Sequence, residues 1–339
     1  MQQKPQIKGW CPSLEKPMES GDGLLVRIPI KFGKIHSDVA RSIVSLSTKY
    51  GNGHFDLSAR GNLQLRGVQP ETYVMLREGL AELGFVQDFS LHVIANPLDK
   101  NAQEFVEKLL VKSVESGICL PEKFLIVIDG DGVFPLSALP CDLYIKCDLY
   151  IKSEQADVSQ ILSALQNIKK CAKKPADEKM RFPELGFIPL SERFDAVNGV
   201  ISIAAPFGRL KAEELNKLAA ISDRFGNGEL IFAPFRRVIL PNIAENRAED
   251  ALHELKTAGF IVNSNDSRLN IYACVGAPSC SSAFADTRNL AQKWADDFPN
   301  LTKIVHITGC SKGCAYRGIA DITITATATG YETSYDNLL

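Results

Sequence analysis

Four cysteines toward the C-terminal end carry the plainest chemistry: Cys274 and Cys280 in "ACVGAPSC", then Cys310 and Cys314 in "HITGCSKGCAYRG". Thiolates are soft ligands that suit zinc or iron–sulfur clusters, whereas hard cations prefer oxygen. Structural zinc usually draws on pairs two to four residues apart, and the spacing inside the first pair is wide for that. Both pairs follow apolar, strand-like runs and sit among Gly, Ala, Ser and Pro, where backbone can approach a bulky inorganic cube. A [4Fe–4S] cluster held by Cys274, Cys280, Cys310 and Cys314 fits this pattern best, with zinc as the alternative. Lys312, inside the second turn, would raise the potential of such a cluster or simply be solvated. The chain has nine cysteines. An odd number in a large chain argues against a disulfide framework, and Cys11, Cys119 and Cys171 read as incidental thiols.

The elements that must position these thiols come from a duplication. "LLVRIPIKFGKI" (24–35) aligns with "GVISIAAPFGRL" (199–210), and "KYGNGHFDLSARGNLQLRGV" (49–68) with "RFGNGELIFAPFRRVILPNI" (224–243), both at an offset of 175. Each copy reads strand, amphipathic helix, Gly-Asn-Gly turn, strand, helix. Such a unit gives an α+β fold with helices on one face of a sheet, and two copies suggest a pseudo-twofold pair sharing a sheet or an interface. Between them, "CDLYIKCDLYIK" (141–152) is a tandem six-residue repeat that keeps strand parity and reads as a long amphipathic strand. Zinc binding by Cys141 and Cys147 is not expected. The segment 172–185 reads as a linker, and the part from 263 onward should mirror the middle segment.

The 54–66 stretch, read as one strand, places His54, Asp56, Ser58, Arg60, Asn62, Gln64 and Arg66 on one polar face and Phe55, Leu57, Leu63 and Leu65 on the other. At the offset of 175 the later part of that polar row becomes Phe235, Arg237, Ile239 and Pro241, and Arg27 becomes Ser202. The first copy therefore keeps a donor-rich face that the second has largely lost. Net charge is −2 with 45% hydrophobic residues, so the whole molecule has no pull toward nucleic acid or anionic membrane. No run approaches the roughly 18 apolar residues of a membrane span. The N-terminal stretch lacks the apolar centre of a signal peptide, so a cytoplasmic location is expected.

Cys-x5-Cys followed by Cys-x3-Cys within "GCSKGCA" resembles the cluster motif of the sirohaem-dependent nitrite and sulfite reductases, a superfamily built from a duplicated unit. "CPSLEKPMESGDGLLVRIPI", "DLSARGNLQLRGV" and "APFGRL" more closely resemble the precorrin-3B synthase family within it. The resemblance implies two ferredoxin-like repeats (18–87 and 193–262), a sirohaem-domain-like α/β segment (88–180) and a cluster-binding segment (263–339). It implies an oxidoreductase, a monooxygenase that hydroxylates the tetrapyrrole precorrin-3A with O2 in aerobic cobalamin synthesis. A [4Fe–4S] cluster would relay electrons, a mononuclear non-haem iron would activate oxygen, and NADH would act through a separate reductase. No Gly-x-Gly-x-x-Gly follows a strand to bind the dinucleotide directly. Arg27 and Arg60 would face the substrate, with Asn62, Gln64, Arg66 and Lys123 beside them. Arg236, Arg237, Lys312 and Arg317 are further cationic candidates for the carboxylate rim. The rival reading is a sirohaem-dependent nitrite or sulfite reductase. Against it stand Leu91 and Leu125, at positions where the reductases carry cations that grip a small oxyanion.

Overall fold

Period-two alternation and helical spacing shape the two copies of the repeat. A computed structural model describes residues 10–86, 91–118, 120, 124–130, 134–146, 183–190, 198–316 and 318–336. In the first copy, strands β1 (Met18–Ser20), β2 (Gly23–Arg27), β3 (Lys34–His36), β4 (His54–Leu57) and β5 (Leu63–Val68) accompany helices α1 (Ser37–Tyr50) and α2 (Tyr73–Glu82). α1 buries Ala40, Ile43, Val44 and Ser47, the three- and four-residue spacing of one helical face. The stretch 54–66 is thus not one strand but a hairpin. Ser58 and Asn62 close its turn, Ser58 N–H donating to the Asn62 carbonyl and Asn62 N–H to the Ser58 hydroxyl. Asp56 pairs with Gln64 and Phe55 with Leu65, so the polar and apolar rows survive the reversal.

After the middle segment, described below, the second copy supplies β9 (Gly186–Ile188), β10 (Gly199–Ala204), β11 (Arg209–Lys211), β12 (Glu229–Ala233) and β13 (Arg237–Ile243), with α4 (Ala212–Phe225) and α5 (Glu245–Thr257). The two five-stranded sheets have the orders β1-β2-β5-β4-β11 and β3-β12-β13-β10-β9. Each copy lends its short third strand to the sheet of the other. Lys211 pairs with His54 and, one offset of 175 away, His36 pairs with Glu229. One apolar core lies under both sheets, joining Val26, Phe55 and Leu65 to Ile203, Leu230 and Leu240 and to α1 and α4.

The duplication is written in the backbone as well. Phe32 and Phe207 both have φ of 52°, a value uncommon for a bulky residue, and the glycines that follow have φ of 72° and 70°. A Cβ on Gly33 would sit 2.0 Å from the Phe232 carbonyl oxygen. Gly33→Ala is expected to cost about 1–3 kcal/mol through left-handed strain, with more from displacing β12. Thermal unfolding should show a midpoint lowered by several degrees.

The middle segment forms a parallel sheet of β6 (Val93–Ala95), β7 (Ile126–Asp129) and β8 (Leu143–Lys146), with α3 (Lys100–Glu115). β8 is packed on both faces: Leu143 and Ile145 on the α3 side, Tyr144 toward the second repeat. The expected long amphipathic strand is a half-buried strand as far as the exposed Lys146; its remainder lies outside the described residues. The C-terminal unit repeats this plan with β14 (Ile271–Ala273), α6 (Thr287–Asp297), β15 (Val305–Thr308) and β16 (Ile322–Thr327), then adds an antiparallel edge, β17 (Gly330–Tyr335). The fold is α+β and duplicated, and no described helix is long and apolar enough to cross a membrane.

Candidate functional site

Strand pairing aligns four side chains across the first sheet. Arg27 on β2 lies opposite Gln64 on β5, Gln64 opposite Asp56 on β4, and Asp56 opposite Arg209 on β11. The equivalent row of the second sheet is Ser202, Ile239, Ile231 and Lys34. Ile231 and Ile239 pack there against Leu125, Val127, Phe134 and Leu136 of the middle segment. The second face is thus sealed by apolar contact, whereas the first meets the cysteine-bearing unit through polar groups.

Asp56 is the hub of that meeting. Its carboxylate accepts from Arg66 Nη1 at 2.9 Å, Arg209 Nε at 2.9 Å and Arg288 Nη2 on α6 at 2.8 Å. Burial alone would push its pKa up, but Arg288, Arg209 and Arg66 outweigh burial and hold it well below the usual carboxylate range. Arg66, expected in the substrate row, is instead committed elsewhere. It is 1% exposed and bonded to Asp22, Asp56, Ser20 and the Ser279 carbonyl.

Other guanidinium groups are only partly satisfied. Arg27 Nε, Arg209 Nη2, Arg237 Nε, and Nε and Nη1 of Arg288 are buried without a hydrogen-bond partner. A buried orphan donor costs about 1–3 kcal/mol and native proteins hold few of them, so several together mark a place suited to acceptors. Burial lowers the pKa of Arg27, the Cys11 side chain opposing and Arg60 adding to the effect. Arg27, Arg60 and Cys11 therefore lie close together, although the sequence had marked Cys11 as incidental. Burial pulls Arg237 down to about 10 and also lowers Arg236, whose guanidinium stands 5.9 Å from the Tyr272 ring centroid. Tyr272 stacks with Tyr316 at 4.4 Å and pairs in register with His306. His306 is buried with Nε2 unpartnered, and burial lowers its pKa, which favours the neutral ring.

Of the other expected contacts, Arg60 and Gln64 are half-buried, and the Asn62 side chain donates to the Ser58 hydroxyl within its own turn. Lys123 and Arg317 lie outside the described residues. Leu125 is 2% exposed in the apolar layer, and Leu91, half-buried, packs against the margin of the α3 core. Sequence reasoning missed Arg209 and Arg288. The available signal was Asp56, the sole carboxylate in a row of donors.

The four cysteines come together. All are free thiols, and Cys314 is raised in pKa first by burial, then by Cys310 and Cys274, with Lys312 opposing and Cys280 adding to the rise. Each of the other three is thus near enough to act on it. Yet no three His, Cys, Asp or Glu side chains among the described residues close on one metal ion. Four thiols within electrostatic reach of one another are the donor set that a [4Fe–4S] cluster takes. The Gly309 N–H donates to Cys274 Sγ at 3.1 Å, the kind of bond that tunes iron–sulfur sulfurs. A [4Fe–4S] cluster therefore fits this donor set. Among the described residues no group of His, Cys, Asp or Glu side chains fits the mononuclear iron that the resemblance implies.

Comparisons with known proteins agree with the duplicated fold. The model of the nitrite/sulfite reductase ferredoxin-like half domain matches residues 16–83 and 198–258, once in each copy. A precorrin-3B synthase of a Sinorhizobium species is 24% identical, over 96% of this chain and 82% of that protein. The chloroplastic ferredoxin–nitrite reductase of Spinacia oleracea is 29% identical over 36% of this chain, but only 22% of its own length. The solved structure of the Mycobacterium tuberculosis NirA protein superposes with a TM-score of 0.69 at 17% identity, covering 92% of this chain and 73% of that one. That likeness is one of fold.

Proposed function

Because the chain belongs with the nitrite/sulfite reductase superfamily and resembles a precorrin-3B synthase along nearly its whole length, we propose that it is an oxidoreductase acting on a tetrapyrrole. The specific reading is a precorrin-3B synthase-like monooxygenase. The observation that carries it is the set of unpartnered guanidinium donors beside four gathered thiols.

Precorrins carry a rim of carboxylates, and guanidinium forks are the side chains best matched to planar carboxylates. Arg27 and Arg60 would orient the ring, with Gln64 between Arg27 and the Asp56 hub. Arg209, Arg237 and Arg288 extend the cationic wall, and Lys123 stays a candidate from the sequence. Asp56 holds Arg209 and Arg288 in place before the ligand arrives, so less ordering is left to binding. Cys274, Cys280, Cys310 and Cys314 would hold a [4Fe–4S] cluster, which supplies single electrons when bound. Monooxygenation places one atom of O2 in the product and releases the other as water, consuming two electrons and two protons. NADH would serve as their indirect source, through a separate reductase.

The rival is a sirohaem-dependent nitrite or sulfite reductase, favoured by the match of the half domain. Multi-electron reduction of a small oxyanion needs dense positive charge around it, and Leu125 is buried in an apolar core while Leu91 packs at the margin of another. The absorbance spectrum of anaerobically purified protein separates the two, since sirohaem bands would select the reductase. Arg60→Leu is expected to weaken tetrapyrrole binding about ten- to hundredfold, the value of a charge-assisted hydrogen bond. Titration with a precorrin analogue checks this, and unchanged affinity would remove Arg60 from the pocket.

A further inference from the structure

We infer that Arg66 is a positioning residue for the cysteine loop, setting where Cys280 stands relative to the other three thiols. This rests on the reading of Cys280 as a cluster ligand.

The Ser279 carbonyl, one residue before Cys280, receives three donors from the first repeat. They are the Gly21 N–H at 3.1 Å, the Ser20 hydroxyl at 2.6 Å and Arg66 Nη2 at 2.8 Å. A carbonyl oxygen has two lone pairs, so this one is held more firmly than an ordinary loop requires. Arg66 is in turn held by Asp22, through Nε at 3.0 Å and Nη2 at 2.8 Å, and by Asp56 at 2.9 Å. Nη2 also lies 2.7 Å from the Ser20 hydroxyl, so hydroxyl and guanidinium form one clamp.

Backbone contact gives a second, independent sign. A Cβ on Gly21 would lie 2.5 Å from the Pro278 carbonyl oxygen, 2.8 Å from Ser281 N and 3.0 Å from the Cys280 carbonyl carbon. The end of β1 is pressed against the 278–281 backbone with no room for a side chain. Within the C-terminal unit the other end of this loop is held separately, Cys274 Sγ by Gly309 N–H and its carbonyl by the Thr287 hydroxyl. One ligand on the loop is thus placed by its own unit and the other by the first repeat. The second copy has no such clamp, because the position equivalent to Arg66 is Pro241. The same arginine anchors Asp56, so the substrate row and the Cys280 loop share one rigid support.

Four variants test this in anaerobically purified full-length protein. Readouts are iron and acid-labile sulfide per chain, the electron paramagnetic resonance spectrum after dithionite reduction, and the rate of bleaching by air. Ser20→Ala keeps both buried ion pairs and removes one donor. It is expected to shift the resonance values and bleach about fivefold faster, roughly the worth of one neutral hydrogen bond. Arg66→Met should lose at least about half of the sulfide, and Arg66→Lys should fall between Met and wild type. Arg209→Met disturbs Asp56 without touching Ser279 and should keep the wild-type spectrum. If Arg66→Met does not fold by circular dichroism, Ser20→Ala decides alone. Wild-type resonance and bleaching in Ser20→Ala would overturn the clamp while leaving the proposed function standing. A wild-type protein without iron and sulfide would overturn both.

Discussion

Replacing Cys310 with alanine is expected to strip the protein of most of its cluster iron and sulfide and to lower turnover by at least about hundredfold. Outer-shell changes at metal sites already cost ten- to hundredfold, and this change removes a ligand. Cys310 is the most enclosed of the four thiols, 5% exposed, and its carbonyl accepts from the Thr308 hydroxyl at 2.8 Å. The main chain around it would keep its course, so the loss should fall on the inorganic group rather than the fold. Cys141→Ala is the matched comparison. That thiol packs at the margin of the apolar layer under the second sheet and should leave iron content unchanged. Equal iron and sulfide in the Cys310 variant would exclude it from the ligand set.

Asp56→Asn is expected to lower the free energy of unfolding by about 3–5 kcal/mol, the cost of leaving buried charge without its counter-ion. Three guanidinium groups converge on this one carboxylate, and asparagine returns no charge to any of them. The linkage has a definite sign. Asp56 titrates lower when folded than its ordinary 3.8, so its contribution is complete above that value. It is lost as pH falls through the folded value. The gap between wild type and Asp56→Asn should therefore be widest near neutrality and narrow as pH falls below 3.8. Urea unfolding at neutral and acid pH measures it, and a gap independent of pH would show that the ionised carboxylate is not what joins the two units.

The duplication was legible because one offset relates every paired segment, down to the left-handed phenylalanines at 32 and 207. The cysteines stood out as one candidate set because spacing and local composition restrict what thiols can bind. The polar row was read correctly as a face and incorrectly as a continuous strand. Alternation is blind to a reversal that preserves parity, and the turn between Ser58 and Asn62 does so. Ion pairing was the larger gap. Along a strand, a donor bound for solvent and one bound for a distant carboxylate look alike, so Arg66 read as a substrate contact. Arg209 and Arg288 carried no local sign, since what brings them to Asp56 is the crossing of a strand from the second copy and the docking of α6.

A lone copy of the repeat would leave one sheet edge unpaired and a three-residue strand with nothing to bind, a hazard for any soluble chain. Two lone copies on separate chains would close each other as a swapped, symmetric dimer. Joining them end to end keeps both exchanged strands paired while releasing the halves from identity. One half could then turn its face into a dry seam of isoleucines as the other kept arginines, a division of labour that a symmetric pair of identical chains could never adopt.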